Sequence, residues 1–240
     1  RERVFLLDVP SSYDGVTGLP LLIGYHSGSS GPDFLMVLAD FVPVEEFSPV
    51  GSTTNGILVA WPADLDETMG RVLIGELQNE LCVDDTRIYA AGFAAGAQTV
   101  SELAGSMSDQ LAAVGLINGG QLPNPTEDMR PVPMIAHTGG RTGGPPETLA
   151  TRWAEHNGCD PDPSVEEPGD AVTVTRWSTC TDDTDVELWV LTDMGRQVAA
   201  PDCSFVPGAL RAVCYESPEF SMWAAFRPFF EAHHRPSHDD

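Results

Sequence analysis

The stretch Arg87-Ile88-Tyr89-Ala90-Ala91-Gly92-Phe93-Ala94-Ala95-Gly96-Ala97-Gln98 decides the fold. Its first five residues read as a buried strand, Gly92 to Gly96 as a tight turn, and Ala97 to Ala104 as a helix. So sharp a strand-to-helix turn needs small residues two positions either side of its apex, because larger side chains would collide across it. This is the context of a nucleophile elbow, with one departure: the apex is Ala94. Alanine has no hydroxyl, so it forms no acyl intermediate and offers no proton to a base. On the motif alone, a Gly/Ala-rich helix start is the simpler reading.

Outward from this turn the chain alternates strands with helices. Val4 to Pro10, Leu19 to Tyr25, Gly56 to Pro62, Leu111 to Asn118, Val132 to His137, Ala171 to Trp177 and Val186 to Leu191 read as strands. Phe34 to Phe41, Thr68 to Leu81, Thr148 to Asn157 and Phe220 to Ala232 carry helical spacing. Continuous apolar runs such as Leu19 to Tyr25 mark strands buried on both faces. The expectation is an α/β fold with a mostly parallel central sheet and helices on both faces. Binding chemistry then belongs in loops at the carboxyl ends of strands: 26–31, 92–97 and 138–146. Only 160–170 and 236–240 have linker-like composition, so residues 1–240 are expected to form one domain, with a polar tail over 235–240.

Charge excludes several classes of function. Thirty-six acids face twelve bases for a net charge of −24, which argues against binding nucleic-acid phosphates. All twelve bases are arginine, so Schiff-base chemistry and a lysine-dependent phosphate loop are excluded. No cofactor is expected. No apolar run approaches the ~18–20 residues of a membrane span, and Arg1 to Pro10 is not a signal peptide; any leader is expected to be absent from this chain. The spacing of Cys159, Cys180, Cys203 and Cys214 suits neither zinc nor a thiol oxidoreductase. Two disulfides, 159–180 and 203–214, would leave Cys82 unpaired and imply an oxidising compartment, extracellular or periplasmic; five reduced thiols are the alternative. No metal site is expected: Asp182-Asp183-Thr184-Asp185 lacks the glycine and terminal glutamate of a calcium loop, and His233 and His234 read as exposed. Trp61, Trp153, Trp177, Trp189 and Trp223 are core residues by default, although one exposed at a cleft could stack on a sugar.

The ordered set Val4–Pro10 with Tyr13-Asp14-Gly15, Leu19–Gly31, Gly56–Pro62, Leu81-Cys82-Val83-Asp84, Arg87–Gly92, Ala112–Gly120, Pro131–Pro133, Arg152-Trp153 with Asn157-Gly158-Cys159, and Val186–Trp189 resembles the polyhydroxybutyrate depolymerase and feruloyl esterase family of α/β-hydrolases. The resemblance covers nearly the whole chain. It implies an extracellular serine esterase with a Ser-Asp-His triad. This chain departs from the family at every triad position. The serine of the elbow is Ala94. The acid, which follows a His-Gly in the family, aligns with Thr142 when anchored on Gly139, or with Arg141 when anchored on His137. The histidine loop reads Thr192-Asp193-Met194-Gly195-Arg196-Gln197, which puts Arg196 in the base position.

An arginine side chain stays protonated at neutral pH and is no general base there. Losing triad members costs on the order of 10⁴–10⁶ in rate. The expectation is therefore a catalytically degenerate member of the family. The resemblance makes the backbone N–H groups of Gly28 and Ala95 the former oxyanion donors. Arg196, with Arg141, would enter the same cleft and hold an anion such as a carboxylate or uronic acid. Alternatively, Arg196 pairs with an acid such as Asp193 or points to solvent. Three functions remain open at this level: a non-catalytic binder of extracellular carbohydrate, polyester or protein; an active carboxylic ester hydrolase with a relocated nucleophile such as Ser27 or Ser101; and an interaction domain with a closed cleft. The resemblance also leaves Cys82 as an orphaned buried thiol, since Gly105 stands where the family places its partner.

Overall fold

The structure is a computed structural model that describes residues 4–28, 56–126, 128–142, 147–200, 202–204, 208–217 and 220–235. The helical spacing of Phe34 to Phe41, loop residues 29–31 and 143–146, and the tail 236–240 lie outside the described residues.

Strand β1 (Phe5–Asp8) is followed by β2 (Leu19–Tyr25), β3 (Leu58–Pro62), helix α1 (Glu67–Glu80), β4 (Val83–Phe93), α2 (Ala95–Ser106), β5 (Ala113–Ile117), β6 (Met134–Gly139) and α3 (Glu147–His156). Then come β7 (Ser164–Gly169), β8 (Val172–Trp177), β9 (Val186–Leu191), β10 (Val198–Ala200), β11 (Cys214–Glu216) and α4 (Met222–Ala232). Nine strands form one sheet in the order β1-β3-β2-β4-β5-β6-β9-β8-β7. The run from β3 to β9 is parallel, while β1 at one edge and β8 with β7 at the other are antiparallel. The apolar runs explain the parallel middle: Leu21 to Tyr25, Leu58 to Pro62 and Ala113 to Ile117 are buried throughout.

Each face of the sheet has its own core. Helices α1, α2 and α3 cover one face, where Leu73, Ile74, Leu77, Val100, Leu103 and Trp153 meet Leu21, Ile23 and Ala90. Helix α4 covers the other, where Phe226, Phe229 and Phe230 pack on Tyr89, Ala91 and Ile117. Helix α1 starts where the carboxylate of Asp66 accepts from the Thr68 N–H at 2.8 Å, leaving its apolar stripe facing inward. Four of the five tryptophans are core residues; Trp189 is partly exposed.

Several expectations need correction. The linker-like stretch 160–170 contains β7, which pairs antiparallel with β8. His233 is buried, its Nδ1 2.7 Å from the Phe229 carbonyl and its Nε2 3.4 Å from an Asp185 carboxylate oxygen, because the end of the chain is pinned back onto the sheet. The pinning bonds are Tyr89 Oη to His233 O at 3.0 Å and Arg235 N–H to Thr86 O at 2.8 Å. Cys82 is a free thiol, but partly exposed, with its Sγ donating to Gly15 O. Cys159–Cys180 and Cys203–Cys214 are disulfides, which fits an oxidising compartment. No described helix is long and apolar enough to cross a membrane.

Candidate active site

The turn between β4 and α2 is a true elbow. Ala94 adopts φ 53° and ψ −107°, a left-handed conformation that an L-residue avoids unless its surroundings impose it. The surroundings are visible in the neighbouring glycines. A β-carbon at Gly92 would lie 2.3 Å from the Gly96 carbonyl oxygen, and one at Gly96 would lie 2.3 Å from the Tyr25 carbonyl oxygen. The Ala94 N–H donates to Ile117 O at 2.8 Å, tying the apex to β5. The backbone thus holds the pose that presents a nucleophile, and a methyl group occupies it.

Gly28 and Ala95 are neighbours, as a shared oxyanion role requires: a β-carbon built on Gly28 would sit 3.5 Å from that of Ala95. Both are exposed. Ala95 opens α2, so its N–H has no intrahelical acceptor. Just before Gly28, the imidazole of His26 is buried between two main-chain carbonyls, with Nδ1 2.6 Å from Ser27 O and Nε2 3.1 Å from Ala63 O. It is a strut of this loop and does not face the elbow as a base.

The loops expected to hold the acid and base meet at the same carboxyl end of the sheet. The Gly140 N–H donates to Leu191 O at 2.8 Å and the Arg141 N–H to Met194 O at 3.0 Å. Thr142 closes its own turn, its hydroxyl donating to Gly139 O at 2.9 Å. Arg141 and Asp193 form an ion pair at 2.7 Å with side chains 67% and 61% exposed. The acid suggested for Arg196 is therefore taken by Arg141. Arg196 is exposed, with no hydrogen bond or ion pair among the described residues.

Asn118 connects these loops, and reading the sequence did not single it out. It follows β5 with φ 48°. Its Nδ2 donates to Gln197 O, while its Oδ1 accepts from the Gly139 N–H at 3.1 Å and the Thr138 hydroxyl at 3.3 Å. Gly119, next to it, abuts the elbow: a β-carbon there would be 2.5 Å from Ala94 O. Gln197 continues outward, its Nε2 donating to Ala212 O at 3.3 Å and Cys214 O at 3.2 Å. The signal in the sequence was an asparagine at a strand end followed by two glycines.

Of the two serines considered as relocated nucleophiles, Ser101 is fully buried in α2, donating to Ala97 O at 2.9 Å and accepting from the Gln121 N–H at 3.2 Å. It cannot meet a substrate. Ser27 is half-buried in the loop beside Gly28. His137, at the carboxyl end of β6, is fully buried, stacks on Phe220 at 5.3 Å, and has no hydrogen-bond partner on either ring nitrogen. Burial pushes its pKa down from 6.5 to about 3, so it is neutral and sealed from any substrate.

No family model matches the chain. It is 24% identical over 184 residues to a protein named probable feruloyl esterase C from Aspergillus niger, covering 69% of this chain and 66% of that one. It is 28% identical over 207 residues to feruloyl esterase B from Piromyces equi, covering 70% of this chain and 38% of that one. The chain thus spans less than two thirds of the length of either relative. Among solved structures, an acetyl xylan esterase from Aspergillus awamori superposes with a TM-score of 0.61 at 11% identity, over 81% of this chain and 93% of that one. The feruloyl esterase side of the resemblance is supported; the polyhydroxybutyrate depolymerase side rests on the order of sequence segments alone. In sequence the chain is thus similar to feruloyl esterases, and its fold is that of the α/β-hydrolases.

Proposed function

We propose that this chain is a non-catalytic relative of the esterases, working outside the cytoplasm as a binding or interaction domain for an extracellular carbohydrate, polyester or protein. The observation that carries the reading is Ala94: the elbow keeps the strained nucleophile pose and presents a methyl group. Thr142 spends its hydroxyl on Gly139 O, and Arg196 stands where the base would be. A nucleophile removed by a single change would leave the acid and base in place; here all three roles are empty, which favours a chain that has left the reaction. The amides of Gly28 and Ala95 depend on backbone alone, so a polar recess for a ligand oxygen survives the loss. Arg196, exposed and without a described carboxylate, supplies the cation for an acidic group on that ligand, and Arg141 is a second cation once Asp193 is displaced.

The test is hydrolysis of p-nitrophenyl acetate together with labelling by a serine-reactive phosphonate. Turnover equal to the heat-denatured protein and no labelled residue are expected. Labelling of one serine, or turnover clearly above that control, overturns the reading and revives a relocated nucleophile.

A further inference from the structure

The cavity at the amino ends of the strands, at the opposite end of the sheet from the elbow, holds an arginine without a counter-ion among the described residues. In a chain of net charge −24 a half-buried arginine finds a carboxylate readily. Arg87 meets Asp84 at 2.6 Å, Arg227 meets Glu231 at 2.7 Å, and Arg176 meets Glu166 and Glu187 at 2.6 and 3.0 Å. Arg130 has no carboxylate within ion-pair reach among the described residues. Its guanidinium is fixed by main-chain carbonyls, with Nε donating to Ser108 O at 2.9 Å and Nη2 to Leu111 O at 2.8 Å. Its own N–H donates to Ser108 Oγ at 3.0 Å. The Nη1 donors have no acceptor among the described residues. Burial works against this charge and lowers the arginine's pKa, with Asp182 opposing from a distance. A guanidinium oriented by two carbonyls, partly desolvated and without an anion among the described residues, is a prepared half of a charge-assisted pair.

The space beside it suits a small ligand. The cavity has a volume of about 330 Å³, and Arg130, Arg235, His233, His234, Asp182 and Asp183 are among the residues lining it. That is the lower end of the ~300–1,000 Å³ usual for ligand pockets, room for one ring and not for a chain. Asp182 and Asp183 are exposed and lie in consecutive left-handed conformations, φ 56° and 51°. Their carboxylates repel a multiply charged anion such as sulfate and ask for hydrogen-bond donors.

We propose that this cavity binds a uronate, a single sugar ring carrying one carboxylate, with the carboxylate on Arg130 and ring hydroxyls donating to Asp182 and Asp183. A neutral sugar leaves Arg130 without its anion. A bare anion leaves the aspartates without donors and adds like charge. The choice of a sugar acid over other hydroxylated carboxylates rests on the reading of the protein as an extracellular carbohydrate binder. The cavity itself is independent of the elbow.

Isothermal titration of the whole protein with sodium D-galacturonate tests this, with D-glucose, sodium sulfate and glycine as comparison ligands. Saturable binding of galacturonate is expected, at least about tenfold tighter than any of the three. Arg130→Gln is expected to weaken it about tenfold or more, while Arg152→Gln, an exposed arginine on α3, changes nothing. Asp183→Asn is expected to weaken galacturonate and strengthen sulfate. No galacturonate binding at millimolar concentration, equal affinity for sulfate, tighter glycine binding, or an unaltered affinity in Arg130→Gln overturns the proposal. Should Arg130→Gln fail to fold, Asp183→Asn decides, and unchanged galacturonate and sulfate affinities overturn it. Esterase turnover, were it found, would sink the non-catalytic reading and leave this titration untouched.

Discussion

Protonating His137 should cost this fold stability, and the cost can be calculated. The imidazole lies in the core above α4, stacked on Phe220, with neither ring nitrogen hydrogen-bonded. Desolvation alone depresses its pKa from 6.5 to about 3. A base whose pKa is lower when folded binds fewer protons in the native state than in the unfolded one. Its contribution is therefore complete above about pH 6.5 and is lost progressively as the pH falls toward about 3. Between about pH 7.5 and pH 5 the loss is on the order of 2 kcal/mol, from about one and a half pK intervals at 1.36 kcal/mol each. In a chain of this length that is about 4–8 °C in Tm. The wild-type profile alone does not isolate it, because 36 acids also titrate over the lower part of the range. His137→Leu removes the proton site with little change of volume, and His137→Phe retains a ring against Phe220. Urea denaturation of all three proteins at the two pH values reads the difference directly. Both variants should gain about 2 kcal/mol relative to wild type on acidification, whatever their offset at neutral pH. Parallel behaviour of wild type and variants would refute the reasoning, since it would mean that the imidazole takes up its proton inside the fold without penalty.

Other substitutions probe the site and its supports. Ala94→Gly should stabilise the protein by about 0.5–2 kcal/mol, relief of about 1–3 kcal/mol of backbone strain less about 0.4–1 kcal/mol of extra unfolded-state entropy, read by thermal denaturation. Gly119→Ala should destabilise by about 1–3 kcal/mol, because its methyl group would meet Ala94 O at 2.5 Å; a neutral effect in urea denaturation would contradict the packed elbow. Ala94→Ser alone should leave p-nitrophenyl acetate turnover at background, since the hydroxyl would gain a pose and no base; vigorous turnover would reveal an unrecognised proton acceptor. Replacing Cys203 and Cys214 together by serine should cost about 2–3 kcal/mol through the loop that they close, 11 residues apart, and should loosen Gln197, which shows as faster amide exchange around 192–197.

Most of the fold was legible because buried parallel strands announce themselves. Leu19–Tyr25 and Val186–Leu191 match the structure end to end. What the sequence concealed was polar or depended on distant contacts. Ser164–Gly169 is exposed along nearly its whole length and carries Pro168, so nothing in it alternates; it becomes a strand only because β8 offers an edge. The acidic start of β4 hid four residues of strand, since Asp84 serves a local network with Thr86 and Arg87. His233 looked like part of a solvated tail; it is buried because Tyr89 and Thr86, far away in sequence, hold the chain end down. At the site, the methyl group at the apex of the elbow could be read directly from Ala94, whereas the assignment of Thr142 and Arg196 to the acid and base positions is what the resemblance implies. Asn118 could not be read in the same way. Its role lies in joining the loops after β6 and β9, and that is visible only once they are side by side.

The persistence of the elbow follows from how it is held. None of the contacts that force Ala94 into its strained conformation involves its side chain: Gly92 lies against Gly96, Gly96 against Tyr25 and His26, Gly119 against Ala94 O, and the apex N–H reaches Ile117 O. These are the contacts that join β4 to α2 and seat α2 against β2 and β5, so relaxing the elbow would mean repacking the junction between the sheet and its central helix. A serine hydroxyl contributes nothing to that junction and can be lost without a cost in stability, whereas the backbone pose cannot. The strain at Ala94 is thus a by-product of the architecture here, and its survival is not evidence of catalysis. By the same logic, the close approach of Gly28 to Ala95 is set by the backbone and owes nothing to the side chain at the apex.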